Sequence, residues 1–308
     1  RRGAPIQGIG IYDVNGAIEV HQLLGGRDVA NKRRKEPKDG HQFRVWEFAE
    51  MMSNFMYIVV DTSTKEALTV DACWDIAGLM EYAAAHSFTI VGALYTHAHF
   101  DHIGGVVPTR ITNGARLEVE GLKEMVERQI PVWIGEQDTW AVCQACKVSP
   151  EDVRIVSDGD TLDCGAERGA LQQCIVVSAP GHTPGSCCLI VPAKEDAGDE
   201  KTPKGSVVNA SRGLLLSGDT LFVDACGSTD TPEGDAQALL LTLCRLCHGL
   251  SDDCIVLPGH NYASVPHTTI GREKARNEMV QMGLQQCDDP VPLPPGRCTC
   301  GLRWRTAA

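Results

Sequence analysis

Hydrophobic residues along the chain fall into short, β-branched-rich runs bounded by glycine, aspartate or proline, a pattern typical of strands. Eight such runs predict strands at 55–61, 67–72, 89–96, 153–162, 172–180, 187–192, 213–219 and 254–259. Helical spacing of apolar residues predicts helices over 75–86, 118–129, 138–147, 235–249 and 268–284. Strands that alternate with helices indicate an α/β protein, with helices covering the sheets of two packed β-rich halves.

The length of 308 residues suits one large domain, which we expect to span residues 1–287. Three polar segments are predicted to lie at its periphery. The charged run 31–42 should be a solvated surface loop, and the polar stretch 193–213 a surface hairpin or partly disordered insertion. The Pro-rich segment 288–308 is expected to leave the domain as an extended tail.

Composition and charge narrow the classes of function. The chain has 28 basic and 40 acidic residues, and the resulting net charge of −12 opposes nucleic-acid binding and favours a small-molecule substrate. No apolar run reaches the roughly 18 residues of a membrane span, and the amino terminus lacks a signal peptide's apolar stretch. We therefore expect no membrane association and a cytoplasmic location, or an organelle matrix if a transit peptide has been removed before Arg1. The sequence carries no signal for the oligomeric state.

Fourteen cysteines are more than an average chain carries, but several lie within apolar runs, where a free thiol behaves as a small hydrophobic group. We expect reduced, mostly buried thiols. Two close pairs, Cys143 with Cys146 and Cys298 with Cys300, admit a structural four-cysteine zinc site as an alternative. Helical spacing of the first pair favours core packing.

The run "YTHAHFDHIGG" places His97, His99, Asp101 and His102 within six positions, directly after the predicted strand 89–96. Imidazole and carboxylate ligands together suit Zn²⁺ and iron. A structural zinc site usually recruits cysteine and closes its shell, so nitrogen and oxygen ligands alone predict a site that holds water or substrate.

Three further candidate ligands each follow a separate apolar strand. They are His182 in "SAPGHTPGS", Asp219 in "LLLSGDT" and His260 in "IVLPGHNY". The two oxygens of Asp219 can bridge two cations, and two metals about 3.5–4 Å apart lower the pKa of a shared water. The sequence therefore predicts a dinuclear site that activates a hydroxide near neutral pH.

The motifs "THAHFDH", "PGHTPGS", "SGDTLF" and "PGHNY" resemble, in this order, those of the metallo-β-lactamase fold. Within that fold they are similar to the branch of glyoxalase II (hydroxyacylglutathione hydrolase) and persulfide dioxygenase, over roughly residues 54–284. The resemblance implies a four-layer αββα sandwich with the metals at one edge. It implies that the first metal is bound by His97, His99 and His182, the second by Asp101, His102 and His260, with Asp219 bridging both.

The same resemblance implies roles for two neighbouring residues. Asp71 in "TVDACWD" matches a buried aspartate that supports the ligands, although a strand-end turn residue is the alternative. Tyr262 matches a tyrosine that lies against glutathione in glyoxalase II, with structural packing as its alternative. Asp101 and Asp219 are the predicted catalytic residues. Asp101 would bind a metal and also orient the hydroxide, and Asp219 would bridge the two metals.

Substrate recognition is less clearly indicated. Glutathione-recognising relatives carry a cation in the segment after the bridging aspartate, whereas this chain has Cys226, Gly227 and Ser228 there. Arg272, within the predicted helix 268–284, is one candidate for supplying the missing positive charge.

The prediction that follows is a metal-dependent hydrolase, acting on a thioester such as a glutathione thioester, with two zinc ions per chain, or iron, or one of each. One alternative is a mononuclear-iron persulfide dioxygenase, in which His97, His182 and Asp219 hold a single Fe²⁺. The others are a phosphodiesterase and a non-catalytic metal-binding member of the fold.

Overall fold

The computed structural model describes residues 10–38, 40–167, 169–193, 207–210, 212–287 and 290–294. Its strands are β1 (Ile11–Val14), β2 (Ile18–Leu24), β3 (Phe55–Asp61), β4 (Glu66–Val70), β5 (Thr89–Leu94), β6 (Gly105–Val106), β7 (Glu118–Val119), β8 (Val132–Gly135), β9 (Val153–Val156), β10 (Ile175–Ser178), β11 (Cys187–Val191), β12 (Val207–Asn209), β13 (Leu214–Gly218), β14 (Ile255–Pro258) and β15 (Thr268–Thr269). Its α-helices are α1 (His41–Met52), α2 (Ile76–Ala85), α3 (Phe100–Ile103), α4 (Leu122–Glu127), α5 (Thr139–Cys146), α6 (Ala236–Gly249), α7 (Ile270–Arg276) and α8 (Glu278–Gln286).

Two sheets form the centre of the molecule. The larger has the order β12-β1-β2-β3-β4-β5-β8-β9, and the smaller has the order β10-β11-β13-β14-β15. Strands β4, β5, β8 and β9 are parallel to one another, and so are β13 and β14. Because parallel strands end at the same edge, the loops after β4 and β5, and those after β13 and β14, are grouped at one edge of each sheet.

Three apolar clusters define four layers. The first lies between the large sheet and α1, α2, α4 and α5, where Ile58 of β3 and Leu79 of α2 are buried together. The second fills the space between the two sheets and includes Leu68 of β4 and Leu189 of β11. The third joins the small sheet to α6, α7 and α8. This layering confirms the predicted α/β sandwich.

All eight predicted strands and all five predicted helical segments overlap observed elements, but several boundaries differ. Residues 118–129 form the short strand β7 and then α4, instead of one helix. The predicted helix 268–284 is two helices, α7 and α8, that meet at Asn277. Asn277 has an extended backbone, and its side chain accepts hydrogen bonds from the amides of Met279 and Val280, which caps α8 and ends α7.

The three polar segments are only partly external. Most of the charged run 31–42 is exposed, but 31–35 forms a 3₁₀ helix whose Arg33 donates hydrogen bonds to Asp75 (3.0 Å) and Glu120 (2.6 Å). In the stretch 193–213, Val207–Asn209 adds β12 to the edge of the large sheet, while 194–206 and 211 lie outside the described residues.

The beginning of the Pro-rich segment packs against the domain, contrary to the expected extended tail. The guanidinium of Arg245 in α6 donates hydrogen bonds to the carbonyls of Val291 (3.1 Å) and Pro292 (3.0 Å), and Leu293 is buried in the third apolar cluster. Residues 288–289 and 295–308 lie outside the described part of the chain, so the domain limits at 287 and 288 stay a prediction. Within the described ranges, no helix combines the length and the apolar character needed to cross a membrane.

The middle apolar cluster should dominate stability. Replacing the fully buried Leu189 with alanine removes contacts from both sheets, and we expect Leu189→Ala to lower the free energy of unfolding by about 2–5 kcal/mol. The matched control is Leu241→Ala in α6, where the leucine is 46% exposed and the expected change is within about 0.5 kcal/mol. Urea unfolding followed by circular dichroism measures both. Equal losses in the two variants would contradict the layer assignment.

Candidate metal centre

All seven predicted ligands come together at the edge where the strand ends meet. They follow four strands: β5 (His97, His99, Asp101, His102), β10 (His182), β13 (Asp219) and β14 (His260). Their nitrogen and oxygen atoms form three groups within which all atoms lie inside 4.8 Å of one another: His97, His99 and His182; His97, His102 and Asp219; Asp101, His102 and His260. Every member except His99 is buried.

Glycines allow two of these strand ends to approach the ligands closely. Gly218 has φ +50°, and a Cβ there would lie 2.5 Å from Thr96 Oγ1. A Cβ on Gly259 would lie 2.3 Å from Asp219 Oδ1. The amide of Gly259 donates a 2.8 Å hydrogen bond to the carbonyl of Gly218, which joins the two loops. Each glycine stands directly before a candidate ligand, so the backbone itself brings Asp219 and His260 together.

Backbone carbonyls and a carboxylate orient three of the histidines. His182 Nδ1 lies 2.7 Å from the carbonyl of Ser228, and His260 Nδ1 lies 2.8 Å from the carbonyl of Met52. A carbonyl can only accept, so each Nδ1 carries the proton and each Nε2 faces the centre. His102 Nδ1 is held likewise, 3.0 Å from Asp71 Oδ2.

Asp71 supports a second histidine through Thr96. Its two oxygens accept hydrogen bonds from Thr96 N (2.7 Å) and Thr96 Oγ1 (2.8 Å). Since the hydroxyl proton of Thr96 is used in this way, its oxygen is an acceptor for His97 Nδ1 at 3.0 Å. Asp71 therefore contacts one candidate ligand, His102, directly and orients another, His97, through Thr96. These contacts are more than a turn residue at a strand end would make.

Asp219 lies between the two outer groups of ligands. Its Oδ2 is 3.3 Å from His260 Nε2, 3.6 Å from His182 Nε2 and 4.0 Å from His97 Nε2. Its Oδ1 is 3.3 Å from His102 Nε2. One carboxylate thus reaches histidines of both groups, which is the geometry that a bridging ligand requires.

Burial and neighbouring charges shift the pKa values of the candidate ligands in different directions. Burial and the nearby His102 ring hold the pKa of His97 well below its usual range. Burial would lower the pKa of His102 also, but the carboxylates of Asp219, Asp71 and Asp101 outweigh it and raise that pKa well above its usual range. For Asp219, burial would raise the pKa, yet His260 and His102 hold it well below its usual range. The carboxylate of Asp219 is therefore held in its ionised form, as a metal ligand would need to be.

The donor set fits two cations. His99 Nδ1 lies 3.1 Å from His97 Nε2 and 2.9 Å from His182 Nε2, and His102 Nε2 lies 3.3 Å from His260 Nε2. When the rings are neutral and their outward nitrogens carry the protons, these inward nitrogens are all acceptors, and a shared cation would satisfy them together. Asp219 Oδ1 is fully buried and accepts no well-oriented hydrogen bond, although His102 Nε2 is close. An unpaired buried oxygen is costly, so these atoms suit zinc or iron in both groups.

Sequence reasoning missed Asn54, which stands directly before β3. Its Nδ2 donates a 3.1 Å hydrogen bond to Asp101 Oδ2 and lies 3.3 Å from His102 Nε2. The residue is almost fully buried. Asn54 therefore holds the carboxylate of Asp101 in place, and a lone asparagine before an apolar strand carries no signal of that role.

Asp138 is a second residue that the sequence did not reveal. Its Oδ2 accepts hydrogen bonds from Ala98 N (2.9 Å) and Thr183 Oγ1 (2.7 Å), and its Oδ1 accepts one from Gly185 N (2.8 Å). Asp138 thus ties the loop that carries His97 to the loop that carries His182. The only sequence signal is an aspartate at the start of a predicted helix, which ordinarily indicates a helix cap.

Tyr262 lies at the rim of the site. Its ring stacks on that of His260, with centroids 4.5 Å apart and planes 12° apart, and Phe222 contacts it edge-on at 5.8 Å. The side chain is 62% exposed. Tyr262 therefore offers an open aromatic surface beside the candidate ligands.

The first of the two close cysteine pairs belongs to the apolar core. Cys143 and Cys146 are buried in α5, and burial raises the pKa of the Cys146 thiol to about 12. None of the metal-ligand groups found among the described residues contains either cysteine. Cys298 and Cys300 lie outside the described ranges, so a four-cysteine site that includes them is not tested.

Comparison with known proteins identifies the family. The model of the metallo-β-lactamase superfamily matches residues 52–196, the part that contains the histidine run, His182 and both central strands of the large sheet. The chain contains a metallo-β-lactamase superfamily domain. The crystal structure of the B3 metallo-β-lactamase BLEG-1 has the same fold as this domain, with a TM-score of 0.52 and 24% identity over 74% of this chain and 95% of that one.

Two curated relatives of this metallo-β-lactamase domain carry different activities in their names. The probable polyketide biosynthesis zinc-dependent hydrolase BaeB of Bacillus velezensis is 24% identical over 226 residues, which cover 73% of this chain and 80% of that protein. The mitochondrial persulfide dioxygenase ETHE1 of Bos taurus is 22% identical over 240 residues, which cover 78% of this chain and 76% of that protein. The superfamily predicted from the motifs is therefore confirmed, and a site for metal ions is consistent with the zinc dependence that the name of BaeB states.

Replacing Asp71 tests the support that it gives to the two histidines. In Asp71→Asn, an amide NH₂ or a weaker oxygen faces His102 Nδ1, and the acceptor for Thr96 is weakened. We expect zinc affinity to fall about 10- to 100-fold. Competition with a chromophoric chelator measures it, and Asp253→Asn, a change at an exposed position in the turn before β14, is the control. Wild-type zinc affinity in Asp71→Asn would contradict this role.

Proposed function

We propose that this metallo-β-lactamase domain hydrolyses a thioester, such as a glutathione thioester, at a dinuclear zinc centre. The observation that carries the proposal is the position of Asp219, whose two oxygens lie 3.3 Å from His102 Nε2 and 3.3 Å from His260 Nε2, and 3.6 Å from His182 Nε2. One carboxylate between two complete sets of donors is what two metals need. Relatives named as zinc-dependent hydrolases support a hydrolytic reaction.

The residues around the centre would divide the work of the reaction. When bound, two cations lower the pKa of a shared water and so supply a hydroxide nucleophile near neutral pH. Asp101, whose Oδ2 lies 3.4 Å from His260 Nε2, would accept a hydrogen bond from the attacking water and fix its direction. Asn54 holds that carboxylate in place. Asp71 and Thr96 keep His102 and His97 turned toward the centre.

The residues at the rim of the site favour a thioester whose thiol portion carries little negative charge. The aromatic face of Tyr262 is open for an apolar contact beside His260. Ser228 is exposed, and its Oγ accepts a hydrogen bond from Asp230 N. Arg272 donates hydrogen bonds to Asp224 (2.7 Å) and Glu273 (2.8 Å). It is therefore occupied by neighbouring carboxylates and does not replace the cation that glutathione-recognising relatives carry.

The strongest alternative is a mononuclear-iron persulfide dioxygenase, which the similarity to ETHE1 favours. His97, His182 and Asp219 would supply its two imidazoles and one carboxylate. Such an enzyme has no use for a second metal. The dinuclear hydrolase requires the second group, Asp101, His102 and His260, whose ligand atoms are buried and lie within 4.8 Å of one another. A phosphodiesterase also suits two metals, but the net charge of −12 disfavours a polyanionic substrate.

Metal content separates the hydrolase from the dioxygenase. We expect about two zinc ions per chain and turnover of acyl thioesters, with a neutral N-acetylcysteamine thioester accepted at least as well as a glutathione thioester. Elemental analysis of the purified protein and release of free thiol measure these two properties. About one iron per chain, with oxygen consumption on glutathione persulfide and no thiol release from thioesters, would establish the dioxygenase instead.

Removing one ligand of the second group tests the need for both metals. In His260→Ala, zinc content should fall from about two to about one ion per chain, and thioester turnover by at least about 100-fold, because the shared water loses one of its metals. His248→Ala, a change at an exposed position in α6, is the matched control and should keep both properties. Full activity of His260→Ala with one zinc would show that the second group is dispensable.

A further inference from the structure

His99 is reversed relative to the other four histidines of the centre. Those four have their Nδ1 atoms tied to acceptors outside the centre, so that Nε2 points inward. In His99 the inward atom is Nδ1, which lies 2.9 Å from His182 Nε2. Its Nε2 points outward and lies 3.3 Å from Glu233 Oε1. Within the part of the chain that the structure describes, Glu233 is the acceptor within hydrogen-bonding distance of that atom.

His99 also has the weakest packing of the seven candidate ligands. Its side chain is 27% exposed, whereas the side chains of the other six are buried. A buried ring is held by its neighbours on every side, whereas a partly exposed ring has fewer neighbours, so its χ2 angle depends more on its hydrogen bonds. For His99, the orientation that aims Nδ1 at the centre therefore depends on the partner of Nε2.

The segment that carries Glu233 is firmly held. The amide of Gly234 donates a 3.0 Å hydrogen bond to the carbonyl of Thr231, and a Cβ on Gly234 would lie 2.5 Å from Thr229 O, so the turn is tight. The amide of Asp235 donates a 2.8 Å hydrogen bond to the carbonyl of Gly181, next to His182. Asp235 then caps α6 by accepting from Ala238 N.

The same segment fixes a second ligand of the first group. The carbonyl of Ser228 accepts the hydrogen bond from His182 Nδ1 at 2.7 Å. Residues 228–235 thus contact His182 through a backbone carbonyl and His99 through a side chain. The contact with His182 uses a backbone carbonyl, which any residue at position 228 would provide. The contact with His99 uses a side chain, so it requires an acceptor side chain at position 233.

We propose that Glu233 is a positioning residue, which accepts the Nε2–H of His99 and so fixes this exposed ring as an Nδ1 ligand of the first metal. The inference rests on the proposed metal centre but not on the identity of the substrate. Glu233 is not itself a ligand, because it lies on the outward side of the imidazole.

The test compares Glu233→Ala, Glu233→Gln and the control Glu127→Gln, which alters an exposed glutamate in α4 that pairs with Lys123. Zinc binding to the metal-free proteins is measured by competition with a chromophoric chelator. We expect Glu233→Ala to weaken binding at one site about tenfold, and Glu233→Gln to recover most of that loss, because glutamine keeps an oxygen acceptor. The control should match the wild type.

Two further measurements separate positioning from general damage to the fold. The visible absorption bands of the cobalt-substituted protein report the ligand geometry, and they should change in Glu233→Ala but not in Glu127→Gln. The unfolding temperature of the metal-free protein should be the same in all variants. In excess zinc, any thioester turnover of Glu233→Ala should return toward the wild-type value with an unchanged KM.

Several results would overturn the proposal. Zinc affinity and cobalt spectra of Glu233→Ala that match those of the control would show that His99 needs no partner. An equal loss in Glu233→Gln and Glu233→Ala would show that charge, and not hydrogen-bond acceptance, is what matters. A wild-type protein that binds no zinc would remove the centre itself. Normal zinc binding without thioester hydrolysis would instead refute the proposed function and leave the role of Glu233 intact.

Discussion

The close approach of inward-facing ligand atoms is the constraint on which this site depends. Nitrogen atoms of His97, His99 and His182 lie about 3 Å from one another, and the carboxylate of Asp219 is buried beside them. Side chains left free would turn away from such an arrangement. They are held because the outward nitrogen of each ring is committed to an acceptor, so rotation would cost a hydrogen bond. These hydrogen bonds hold the ligand atoms in positions where a pair of cations would satisfy them.

The β-sandwich provides the stiffness that this geometry needs. The ligand-bearing loops follow β5, β10, β13 and β14, which lie in two sheets joined by the apolar cluster between them. Strand ends in a packed core move little, so short loops on them inherit fixed positions. Contacts that cross from sheet to sheet complete the frame, because Asp138 joins the loop of His97 to that of His182. The packing of the two sheets therefore also determines the positions of the candidate ligands.

The seven candidate ligands could be selected from the sequence because their signal is local, with a histidine or aspartate soon after an apolar strand. The supporting residues lack such a signal. Asn54 reaches Asp101 across 47 positions of the chain, and Glu233 reaches His99 across 134, so their roles appear only when the loops have folded together. The same reason explains the fold errors: Asn277 ends α7 by capping α8, and the Pro-rich segment is held by Arg245, contacts that no periodicity reveals.

The two outer groups of candidate ligands differ in exposure, because His99 of the first group is partly exposed. This difference makes one side of the site accessible to solvent. Asp101, His102 and His260 are buried, whereas His99 and its partner Glu233 are 27% and 41% exposed. A substrate of the proposed reaction would approach at the exposed residues His99 and Tyr262. A metal in the second group would be enclosed by buried side chains, whereas one in the first would depend partly on the surface contact between His99 and Glu233. Hydrogen bonds exposed to water open more readily than a packed core, so exchange of metal and entry of substrate would both use the side of His99.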